Sequence, residues 1–185
     1  MGEQHKKHNR REHLNDFHLN VAGEYVYDGA LYACQSSEEK QHRIKRAVWG
    51  MAAILTVAVA AGGCIPAPGM QNCFYVLLPY LGEFLGAASV IWALAKLGMD
   101  WGTVREYNYK KSVAVLPVRT AVTAVFSLLG IVCELIFFFV NDHAGQTFFA
   151  LLYVLLKLIA LLSVLVLRAE IMQAEWDKLP KKNNF

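Results

Sequence analysis

Two segments of this chain, residues 66–73 and 141–146, contain no lysine or arginine. Other absences narrow the chemistry. No histidine falls inside an apolar run, which argues against a bis-histidine haem bundle. The four cysteines form no Cys-x-x-Cys pair, so a dithiol oxidoreductase is disfavoured. There is no Gly-rich phosphate loop, no His-Glu-x-x-His and no nucleophile elbow. The chain also has no Asn-x-Ser/Thr glycosylation acceptor. No metal, cofactor or catalytic set is expected, and an enzyme acting on lipid or quinone ranks last.

What the chain does have is apolar length. Of 185 residues, 56% are hydrophobic, more than an ordinary soluble domain carries. They concentrate in four runs, at 47–65, 74–97, 118–140 and 147–167. A bilayer core needs roughly 20 residues of helix, and each run meets that length. A membrane barrel is excluded because runs such as 151–156 do not alternate. The expected fold is an all-α integral membrane protein, a four-transmembrane-helix bundle.

Orientation follows from charge. Seventeen of the 18 Lys and Arg residues lie outside the runs or at their ends, and all fall on one side of the threaded chain. Positive charge stays in the cytoplasm, so both termini are expected there, in a bacterial plasma membrane. The polar first 46 residues argue against a secretory signal peptide. The net charge of +3 then reflects topology and anionic inner-leaflet lipid rather than nucleic acid.

Residues 1–20 read as a disordered basic tail. Its histidines, His5, His8, His13 and His18, do not match helical metal-ligand spacing. Residues 21–46 read as a cytoplasmic hairpin followed by a helix start. Asp28-Gly29 predicts the turn of a hairpin over residues 24–33, with Tyr25, Tyr27 and Tyr32 on one face. Ser36 and Glu39 fit a capping box that opens a helix running into the first span, and Gly62-Gly63 reads as its stop. Thr103-Val104-Arg105-Glu106 suggests a second helix start, and the fourth helix is expected to continue into the tail at 169–185. Cys64 and Cys73 bracket an outer loop. In an oxidising exterior they close a disulfide, and otherwise they are two free thiols.

Three ionisable residues fall within spans: Glu83, Glu134 and Lys157. Charge at such depth is costly unless paired or solvated. From chain direction at about 1.5 Å per residue, they lie roughly 13, 9 and 15 Å from the outer end. A Glu–Lys–Glu cluster is expected, with Tyr153 one turn from Lys157. Two acids against one base leave a net negative charge, so one Glu must hold a proton or meet water. As a structural lock, the cluster fixes helix register. As a working site, it handles protons, cations or a polar solute. The leading functional expectation is an accessory or regulatory membrane subunit that acts through a protein partner or a second copy. The alternative is an oligomeric small transporter or channel.

Overall fold

Large apolar side chains cover the outside of the helices, while polar ones turn inward. In the computed structural model, Val57 is 68% exposed, Leu85 67% and Phe139 80%, whereas Glu83, Thr120, Thr123, Ser127 and Glu134 are 0% exposed. A protein facing water has the reverse arrangement, so this bundle is built for hydrocarbon. The structure describes residues 17–19, 23, 25–27, 29–98, 101–141 and 147–179.

The elements run in chain order β1 (Phe17–Leu19), β2 (Tyr25–Tyr27), β3 (Leu31–Cys34), α1 (Glu38–Cys64), α2 (Pro68–Asn72), α3 (Phe74–Leu97), β4 (Thr103–Arg105), α4 (Glu106–Lys111), α5 (Leu116–Val140), α6 (Thr147–Met172) and β5 (Trp176–Lys178). Among the described residues, four helices are long and apolar enough to cross a membrane. At about 1.5 Å per residue, α3, the shortest at 24 residues, is roughly 36 Å long, enough for a bilayer core.

Buried positions on α6 step by three and four: Ala150, Tyr153, Lys157, Ala160, Val164, Leu167 and Ile171. Those on α5 do likewise through Thr120, Thr123, Ser127, Gly130, Glu134 and Phe137. That spacing keeps one seam inward along the whole helix, as in left-handed four-helix packing. α6 lies between α1 and α5, and α5 packs on α3. Gly82 and Gly86 make the α3–α5 approach possible. A Cβ on Gly82 would meet the Phe126 ring at 2.5 Å, and one on Gly86 would meet Thr123 Oγ1 at 2.6 Å.

One end of the bundle carries a three-stranded antiparallel sheet in the order β4-β3-β5. Leu31 pairs with Arg105, and Cys34 with Trp176. The sheet therefore ties together the segment before α1, the α3–α5 connection and the chain after α6. All three belong to the same end of the bundle. Tyr32 stacks on Tyr109 at 4.1 Å, and Trp176 packs against Tyr109 and Trp101, each at 6.1 Å. Below them Ile44, Val48, Leu94, Leu116 and Leu167 continue the apolar core into the helices.

Several local expectations change. The segments either side of Asp28-Gly29 do not pair with each other: β2 pairs with β1, and β3 enters the other sheet. Asp28 itself lies outside the described residues, as do residues 1–16. Of the expected disordered tail, residues 17–19 form β1. Helix α1 is capped by Ser37, whose hydroxyl accepts from the Lys40 amide at 3.4 Å, one residue later than expected. Ser36 Oγ is buried without a partner. Thr103-Val104-Arg105 is strand, because pairing with β3 satisfies its backbone, and the helix begins only at Glu106. Helix α6 ends at Met172, and Trp176–Lys178 pairs with β3 instead of extending it.

Gly62-Gly63 does not stop α1, which continues to Cys64. Gly63 instead makes room for the Tyr80 hydroxyl, with which a Cβ would collide. The true glycine stop is Gly98 after α3, at φ +72°, where an L side chain is strained.

Candidate functional site

Helices α3, α5 and α6 each supply a polar side chain to one buried point. Glu83 of α3 and Lys157 of α6 form an ion pair, with side-chain exposures of 0% and 3%. Ser127 of α5 donates to the other Glu83 oxygen at 2.6 Å. Both carboxylate oxygens are thus engaged. The ammonium also lies 4.6 Å from the Tyr80 ring centre and 5.1 Å from that of Tyr153, a two-sided aromatic support for its charge. Gly130 faces the lysine: a Cβ there would sit 3.5 Å from Cε, so the stem crosses α5 where no side chain intervenes.

Helices α3 and α6 run in the same direction, both ending at the sheet, and this brings Glu83 and Lys157 level, as their depths anticipate. Chemically the arrangement neutralises one acid with one base in a sealed setting. Taking two charges from water costs several kcal/mol per ion, and close pairing with extra hydrogen bonds offsets that cost. Such a pair discriminates strongly between correct and slipped helix registers.

Glu134 does not join the pair. It is 0% exposed, and among the described residues neither carboxylate oxygen completes a hydrogen bond of ordinary geometry. It sits two turns further toward the far end of α5, tucked beneath α2. The Gly69 backbone amide approaches the carboxylate, and a Cβ on Gly69 would collide with Oε2. The expected Glu–Lys–Glu cluster therefore divides into a satisfied Glu83–Lys157 pair and a separate acid. The reason is height along α5: Glu134 lies on the same seam as Ser127 but two turns, about 10 Å, beyond it. Ser127 and Gly130 face the ion pair, while Glu134, one turn on, faces the connection between α1 and α3.

Tyr153 is fully buried, and its hydroxyl has no hydrogen-bond partner among the described residues. It lies within electrostatic reach of both Glu83 and Glu134. Cys64 is exposed and Cys73 half-buried. Both are free thiols in this structure, like Cys34 and Cys133. Tyr25 is exposed on β2, whereas Tyr32 belongs to the other sheet, so these two do not share a face. The Tyr27 side chain lies outside the described residues.

Two contributors escape the sequence reading. Tyr80 was signalled only by lying three residues before Glu83, on the same helical face. Gly69 carried no signal, because nothing local says a loop glycine will meet a carboxylate 65 positions on. Among the described residues, no group of three His, Cys, Asp or Glu side chains is placed to hold a metal ion. Comparison with protein-family models, with curated proteins and with solved structures finds no match to this chain.

Proposed function

We propose that this chain is an accessory or regulatory membrane subunit that acts through a partner, with both termini cytoplasmic in a bacterial plasma membrane. The observation that carries this reading is the sheet end. Three separate segments are gathered into one small folded cap whose outer strands, β4 and β5, each pair only with β3 among the described residues. An edge strand offers unpaired backbone groups to another chain. The basic residues flank the same end. That orientation sets the cap in the cytoplasm beside anionic lipid. The ion pair supports the reading indirectly: its groups already satisfy one another, which suits a lock better than a transport site.

The oligomeric transporter remains the second reading, favoured by the unpaired Glu134. Four helices enclose little room, so a pathway would need a second copy. Affinity purification of the tagged full-length chain from native membranes, with liposome flux on the purified chain, separates the two. The subunit reading expects a partner in fixed ratio and no proton or cation flux from the chain alone. Flux abolished by Glu134→Gln would contradict it and establish the transporter.

A further inference from the structure

We propose that Glu134 is a reversible proton-binding site, covered by α2 and exchanging with the side of the membrane that α2 faces. Three observations converge on it. The carboxyl is 0% exposed, and among the described residues the Gly69 amide only approaches it without completing a hydrogen bond of ordinary geometry; a poorly paired ionised carboxylate in hydrocarbon is far costlier than a neutral acid. Gly69 lies so close that even a Cβ would collide with Oε2, which leaves no room for an organic ligand between α2 and the carboxylate. No cluster of further acidic, thiol or imidazole ligands accompanies it among the described residues, and a hard metal cation needs several oxygen ligands. The ligand that fits is the smallest one, a proton.

The groups around it are consistent with that assignment. Helix α5 packs against α2, α3 and α6. From α3 come Tyr75, within electrostatic reach of Glu134, and the more distant Tyr80 and Glu83, with Cys73 at the helix cap. From α6 come Tyr153, also within reach, and Lys157, which is committed to Glu83. Helix α2 supplies no titratable side chain. Cys133 is the neighbour on α5 itself. Among the described residues, no cation is left over to hold Glu134 as a carboxylate.

The cover is thin. Helix α2 has only five residues, and Glu134 sits six residues before the end of α5, so exchange requires displacing a short segment and no span. A proton on Glu134 is compatible with either functional reading.

The test is carbodiimide labelling of the full-length protein in lipid vesicles, using dicyclohexylcarbodiimide, an apolar reagent that reacts with protonated carboxyls. The carboxyl proton passes to a carbodiimide nitrogen, and the carboxylate oxygen bonds to the central carbon. Rearrangement then leaves a stable N-acylurea for peptide mass mapping. The expected result is adduct on Glu134 and none on Glu83. Labelling should decline severalfold from mildly acidic to mildly alkaline buffer and vanish in Glu134→Gln. Three outcomes would overturn the proposal: no adduct on Glu134 at any pH, pH-independent labelling, or equal labelling of Glu83. Because wild-type protein gives the decisive readout, instability of the variant does not obscure it.

Discussion

Lys157 is the basic residue that the bilayer had to accommodate, and its surroundings show how. An ammonium at the middle of α6 meets a carboxylate from α3, and that carboxylate meets a hydroxyl from α5. Removing one partner leaves the other charge buried and uncompensated, at about 3–5 kcal/mol. Lys157→Met and Glu83→Gln should each lower thermal stability by that order in detergent or nanodiscs. Glu134→Gln should behave differently. It replaces an unpaired acid with a neutral isostere, so stability should hold or rise slightly. A loss from Glu134→Gln as large as that from Glu83→Gln would mean that Glu134 shares the ion pair after all.

The helices are held by close approach as well as by charge. Gly86 lets α5 come near enough for Thr123 to occupy the space of a missing side chain. Gly86→Val should cost about 1–3 kcal/mol by overpacking, measured as a drop in melting temperature. The start of α1 offers a finer test. Ser37→Ala removes the cap and should cost about 0.5–1 kcal/mol, whereas Ser36→Ala removes an unpaired hydroxyl and should cost nothing. The reverse ranking would restore the capping box at Ser36.

These elements also mark how far the sequence could be read. The spans were legible because length and hydropathy decide them without tertiary help. The Glu83–Lys157 contact was legible from depth along two helices that run in the same direction. The separation of Glu134 was not, because it depends on α2, a five-residue helix whose Gly69 meets the carboxylate about 10 Å along the seam from Ser127. The β4-β3-β5 sheet was hidden for another reason: three-residue strands carry almost no periodicity, and their partners lie far along the chain. Thr103-Val104-Arg105-Glu106 reads equally well as a helix cap until β3 is placed beside it.

The whole molecule is a polar-cored bundle with one folded cap, and the proposed orientation gives a direct expectation. Cys64 is exposed at the end opposite the sheet, whereas Cys34 is buried within the sheet. After reduction, a membrane-impermeant maleimide added to intact cells should label Cys64 and leave Cys34 unlabelled. Labelling of Cys34 from outside would invert the topology.

The most direct measurement is a double-mutant cycle on the ion pair, read by thermal unfolding of the full-length protein in nanodiscs. Glu83→Gln and Lys157→Met should each destabilise strongly, while the neutral double variant should regain most of the loss, since no charge is then stranded. If the double variant loses the sum of the two single effects, Glu83 and Lys157 are not coupled and the lock does not exist.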